Sequence, residues 1–139
     1  MIDLLEKSVE DVFRQTFGME PFPCKSFPKG EGYEARIPVY DGTKEYAAYV
    51  WIQKPTLKKI AQTLLFEENP DEETLSDLVS ETANFVVGHA KMIASDRKLS
   101  YRIETPVFEG KKSLNRRTTT LLWNVENRCM AVQIEAKDG

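Results

Sequence analysis

Histidine occurs once and cysteine twice in this sequence, and the two scarcities narrow the chemistry. A metal centre needs converging His, Cys or carboxylate ligands, and neither Cys24 with Cys129 nor the lone His89 shows ligand spacing. Two cysteines are too few for a disulfide scaffold, so both are read as reduced thiols. His89 is read as a packed or rim residue, not a catalyst. Positive charge is not in excess: the net charge is −3, without the concentrated basic surface that nucleic acid demands. No apolar run approaches the roughly 20 residues that span a membrane. The opening Met1-Ile2-Asp3-Leu4 lacks the basic-then-apolar order of a secretion signal. A Gly-rich phosphate loop is missing too, which speaks against an enzyme of free small-molecule phosphates. These absences leave a cytoplasmic domain with no cofactor or metal of its own.

What is present is ordinary globular material. A chain of 139 residues, 41% hydrophobic and 29% charged, suits one compact domain over residues 1–139. Leu4, Leu5, Val9, Val12, Phe13 and Phe17 recur at helical spacing, which predicts a helix over residues 3–17 with Asp3 as N-cap and Gly18 as the stop. The proline-rich stretch 21–28 allows only an extended edge or loop. Residues 33–40 and 46–53 alternate and carry β-formers around Asp41-Gly42-Thr43-Lys44, a hairpin pattern. Pro55 opens a second helix reaching about Phe66. A short acidic connector leads to a long third helix over residues 71–96, whose acidic first turn suits the helix dipole.

From Leu99 onward the chain reads as strands, at 99–105 with 107–109, at 118–125 and at 129–136, with a basic loop at 111–117. The order α-β-β-α-α-β-β-β is that of an α+β domain, a mostly antiparallel sheet with packed helices. Trp51 and Trp123 fall in strand patterns as core or interface aromatics. Lys111, Lys112, Arg116 and Arg117 read as a solvated loop more readily than as a steering patch.

The third helix carries the feature that points to function. Asp77, Glu81, Asn84, Gly88 and Lys91 share an arc of about 80° at 3.6 residues per turn. Apolar residues, Phe85 and Met92 among them, fill most of the remaining circumference, the reverse of an ordinary surface helix. Gly88 costs about 1 kcal/mol relative to Ala inside a helix, and Asn84 is also a poor interior choice. Gly88 lowers the surface so that another group can come close. Asn84 offers a donor and an acceptor that do not titrate near neutral pH, so it can hold a water but cannot act as a base. Glu81, one turn away, can receive a cation. Two readings fit the stripe. One is a solvated helix face, the commoner meaning of such a pattern. The other is positioning chemistry, in which a water is aligned on an activated electrophile such as a phosphoryl group.

At these residues the sequence resembles the CheC/CheX family of chemotaxis phosphatases, and CheX more than CheC. Asp77, Glu81, Asn84 and Pro106 are similar to the family's spaced Asp/Ser, Glu, Asn and Pro. Gly88 and Lys91 are similar to the CheX-type extension, and Thr105-Pro106-Val107 leading to Gly110 is similar to the family's strand entrance. The stretch from Asn84 to Pro106 is shorter than the usual pattern by about one residue, which implies a tighter turn after the helix. The resemblance implies a CheX/CheC-like fold and hydrolysis of the phospho-aspartate on a CheY-like response regulator in chemotaxis signalling. It implies that Asn84 orients the attacking water, that Glu81 pairs with the regulator's own lysine, and that Asp77, Gly88 and Lys91 support the docking surface. It further implies a Mg²⁺ ion held by the regulator rather than by this chain, and a homodimer. CheC-like members carry two such motifs; here Ser8, Val12 and Gln15 stand at the corresponding places in the first helix, so a single site is implied. The alternative is a non-catalytic adaptor or scaffold that holds a response regulator or a flagellar-switch component through the same face.

Overall fold

Alternation along two long strands dictates the architecture. The structure, a computed structural model, describes residues 1–137. Strands β2 (Glu31–Asp41) and β3 (Lys44–Ile52) pair antiparallel around a tight turn at Gly42 and Thr43. Gly42 adopts a φ of 62°, the left-handed conformation that such a turn requires. Tyr33, Ala35, Ile37 and Val39 on one strand, with Ala48, Val50 and Ile52 on the other, enter the main hydrophobic core, as side chains of one pleat face must.

The rest of the sheet grows from this hairpin. On one side β7 (Arg128–Lys137) pairs with β3, β6 (Thr119–Val125) with β7, and the short β1 (Phe22–Pro23) with β6. On the other side β4 (Arg102–Ile103) and β5 (Val107–Ser113) lie on successive stretches of β2. Every pairing is antiparallel, as the sequence predicts for the greater part. Lys111 and Lys112 continue β5 rather than opening a loop. An outer strand tolerates lysines, whose charge also protects its unpaired edge.

The helices fall close to their predicted places. Helix α1 (Ile2–Asp11) runs on into a π turn at Val12–Thr16, closed by the Phe17 N–H on the Val12 carbonyl at 3.2 Å. Gly18 stops it with a φ of 67°. Asp3 lies in the first turn, and the cap position belongs to Met1. Helix α2 (Lys54–Leu65) carries Pro55 in its opening turn. Helix α3 (Glu72–Asp96) is capped by Asp71, whose carboxylate accepts the Thr74 N–H at 2.8 Å. That bond holds the Asp71 carboxyl below its ordinary value. Among the described residues no helix is long and apolar enough to cross a membrane.

The face of the sheet away from the main core has its own small cluster, in which Trp51, Leu114 and Ala131 pack with Phe27 and Leu122. Trp51 and Trp123 are both core residues. Gly32 leaves room for the Trp51 indole, which any Cβ there would overlap. The basic segment is not a solvated loop. Arg117 donates to Glu34 Oε1 at 2.9 Å and to Gln133 Oε1 at 2.6 Å, and its guanidinium lies 3.5 Å from the Tyr49 ring centroid. Arg116 stacks on Phe27 at 3.9 Å. A buried carboxylate at Glu34 explains the arrangement, because an ionised group out of water needs a paired cation.

The cysteines also depart from expectation. Cys24 and Cys129 form a disulfide across 105 residues, with their Cα atoms 6.3 Å apart. The β1–β6 and β6–β7 pairings set the segment after β1 beside the start of β7, a juxtaposition that no local spacing reveals. Closing so long a loop removes unfolded-state entropy worth about 2–4 kcal/mol. Reductant should therefore lower Tm by something of the order of 10 °C, while a Cys24→Ser/Cys129→Ser variant melts at one temperature in either buffer. Equal melting of the wild type with and without reductant would show that the crosslink does not form in solution.

Candidate functional site

Helix α3 is held from behind and open in front. Leu75, Leu78, Val79, Ala83, Val86, Val87, Ala90 and Ala94 are buried, packed on α1 and on β2 and β3. The Ser8 hydroxyl donates to the Val86 carbonyl at 2.5 Å, and its small side chain lets α1 approach closely. At the start of the helix, the Tyr33 hydroxyl donates to Glu72 Oε2 at 2.6 Å. At its end Lys98 takes a φ of 63° and the Leu99 N–H bonds the Ala94 carbonyl at 2.8 Å, which turns the chain sharply before β4. His89 Nε2 lies 3.0 Å from Asp11 Oδ2, so the sole histidine is a rim residue joining α1 to α3. This hydrogen bond is the main cause that holds the Asp11 carboxyl below its ordinary value.

In front, Asp77, Glu81, Asn84 and Lys91 are exposed and Gly88 is half-buried, all on one face as their spacing predicts. Among the described residues none bonds to the side chains of Asp77, Glu81, Asn84 or Lys91. A Cβ added at Gly88 would meet nothing within 4 Å, so packing inside the chain does not require the glycine. Two placements differ from the helical-wheel expectation. Phe85 and Met92 are 37% and 64% exposed and flank the stripe instead of joining the core. Phe85 meets Phe17 edge-on with ring centroids 6.1 Å apart, and the elements behind α3 end before covering it. On α1 and the π turn that continues it, Ser8 and Val12 are turned into the core, so that this segment presents no equivalent face.

A cleft of about 400 Å³ adjoins the stripe, lined by Leu65, Glu67, Thr74, Asp77, Leu78 and Glu81. Sequence reasoning missed it, because the cleft forms only where the end of α2 and the acidic connector meet α3. The available signal was the apolar pair Leu65-Phe66 running straight into the acidic connector. No group of three or more His, Cys, Asp or Glu among the described residues could hold a metal ion. The Asn84 amide is neither a nucleophile nor a base, and the Glu81 carboxylate stands one turn away with no internal partner among the described residues. They suit the alignment of groups that arrive on another molecule.

A family model described as chemotaxis phosphatase CheX matches residues 35–123, well over half of the chain and all of α3. The chain belongs to the CheX family. It is a phosphatase, hence a hydrolase, of chemotaxis signalling, as the resemblance at α3 implies. Solved structures repeat the fold. A CheC-like protein from Shewanella sp. PV-4 is 22% identical with a TM-score of 0.80, covering 99% of this chain and 97% of its own. Chemotaxis protein CheX from Vibrio vulnificus is 20% identical with a TM-score of 0.77, covering 96% and 95%. A CheX–CheY–BeF3–Mg²⁺ complex from Borrelia burgdorferi matches at 19% identity and a TM-score of 0.71, covering 99% and 97%. Among curated proteins none matches the chain.

Two outcomes follow from the way α3 is held. Burial, and then the Glu72 hydrogen bond, push the Tyr33 phenol up to about 12. A raised folded-state value means stabilisation that is complete below the ordinary tyrosine value of 10.0 and lost as pH rises through 12. Tyr33→Phe should therefore remove one tyrosine from the phenolate absorbance step near pH 12 and flatten the alkaline loss of stability. Gly88→Ala should stabilise the fold by about 0.5–1 kcal/mol in a urea titration, whereas destabilisation would mean that the open space above Gly88 is filled.

Proposed function

We propose that the face of α3 is where this phosphatase meets a CheY-like response regulator and hydrolyses the phospho-aspartate on its receiver domain. The carrying observation is that Glu81 and Asn84 stand exposed and unpartnered, one turn apart, on a helix whose back is buried. The Asn84 carboxamide holds a water in line with the phosphorus. The water oxygen forms the new P–O bond, the bond to the aspartate oxygen breaks, and inorganic phosphate leaves as H2PO4⁻ with both of the water's protons. The receiver keeps its carboxylate. Glu81 takes the ammonium of a receiver lysine and so fixes the approach. Asp77, Gly88 and Lys91 complete the surface, Gly88 by leaving room for the partner's backbone.

The Mg²⁺ ion for this chemistry belongs to the receiver, where it offsets charge on the phosphoryl oxygens. A Borrelia relative crystallised with CheY, BeF3 and Mg²⁺ lends support to that division. The chain acts in the cytoplasm as a single domain over residues 1–139 and assembles as a homodimer, an assembly that light scattering tests directly.

Decay of a phosphorylated CheY-like regulator from the same organism tests the mechanism. Asn84→Ala should cut turnover by about 10²-fold or more, the usual loss for a positioning group, while regulator binding persists. Glu81→Ala should weaken binding as well. Full activity in the Asn84 variant would refute the water-positioning role. Tight binding without accelerated decay by the wild type would point instead to an adaptor.

A further inference from the structure

Beside Glu81 the surface changes character. Helix α2 ends at Leu65, and Phe66 follows in the left-handed conformation with a φ of 55°, while the Glu67 N–H reaches back to the Ala61 carbonyl. Glycine or asparagine takes that position with little strain, and a bulky aromatic rarely does. The side chain of Phe66 is 91% exposed and that of Leu65 49%. Neither backbone geometry nor burial within the chain accounts for a phenylalanine here. The residues on either side of it, Leu65 and Glu67, line the cleft with Leu78, Asp77 and Glu81. Asp77 and Glu81 belong to the α3 stripe as well, so cleft and stripe form one continuous surface. Two leucines beside three carboxylates match an apolar side chain that has a lysine or arginine next to it.

We propose that this cleft, together with the exposed Phe66 ring between two of its lining residues, is a second docking point for the receiver and grips an apolar side chain flanked by a basic one. The inference rests on the reading of α3 as the receiver-docking face. The contact is remote from the phosphorus, so it sets affinity and leaves the chemical step to Asn84.

Steady-state dephosphorylation of a CheY-like receiver of the same organism, kept phosphorylated with acetyl phosphate, separates the two roles. Phe66→Gly is expected to raise KM for the phosphorylated receiver by about tenfold with kcat unchanged. Its Tm should stay level or rise, because glycine relieves the left-handed cap. Glu67→Lys should raise KM too, most strongly at low salt. An unchanged KM in Phe66→Gly, with an active wild type, overturns the docking point and leaves the function of α3 standing. A wild type that leaves decay unchanged refutes the function of α3, and binding titrations of the phosphorylated receiver then decide the cleft. Weaker binding by Phe66→Gly supports it, and equal affinity overturns it. A changed oligomeric mass at unchanged KM would assign the patch to a second copy of this chain and overturn the proposal.

Discussion

The burial of the back of α3 is the constraint on which the proposed docking face depends. A helix of 25 residues extends about 37 Å at the usual rise, and its rotation about its own axis is set by the apolar side that faces α1 and the sheet. A slip of one residue would turn the helix by about 100°. It would drive Glu81 toward the core and lift Leu78 or Val79 into water, and an unpaired buried carboxylate is prohibitively unfavourable. The direction in which Glu81 and Asn84 point is therefore over-determined by residues that never touch a partner. The catalysis by alignment proposed for Asn84 needs that rigidity, because a loosely held amide orients nothing.

The sheet behind α3 is stiffened from its other side. Glu34 lies fully buried, with Arg117 on one oxygen and the Lys112 ammonium 3.8 Å from the other. Arg117 in turn joins Gln133, whose amide donates to the Asn115 carbonyl at 2.7 Å. Such a buried network adds little net stability compared with apolar packing. It fixes which way the connection between β5 and β6 crosses the sheet. The two faces thus divide the labour, polar specification on one and apolar burial with α3 on the other.

What the sequence disclosed follows the range of the interactions involved. The period of α3 and the Gly42 turn are local, and both were legible; the cap at Asp71 is local as well, but the sequence reading placed that residue inside the helix as part of its acidic first turn. Strand β1 is too short to show a period. The π turn after Asp11 continues a helical pattern, and no residue type announced it. Phe85 and Met92 show the limit of a helical wheel, which fixes an angle but not where the neighbouring elements stop. Arg117 reads as solvent-exposed until Glu34 is set beside it, 83 positions away in the chain. The Glu81–Asn84 pair was readable because both residues sit on one regular helix. The cleft was not, because it needs the end of α2 brought against α3.

The Cys24–Cys129 bond has a consequence of a topological kind. With the disulfide formed, the backbone between these two residues is a closed covalent ring, and α1 lies outside it. All of α2 and α3, and five of the seven strands among the described residues in full, lie inside the ring. A tension applied to the two chain ends would be carried through the sulfur atoms and would bypass α3. A single protease cut in any connection within the ring would leave both fragments joined, with α3 still pressed against the sheet that orients it.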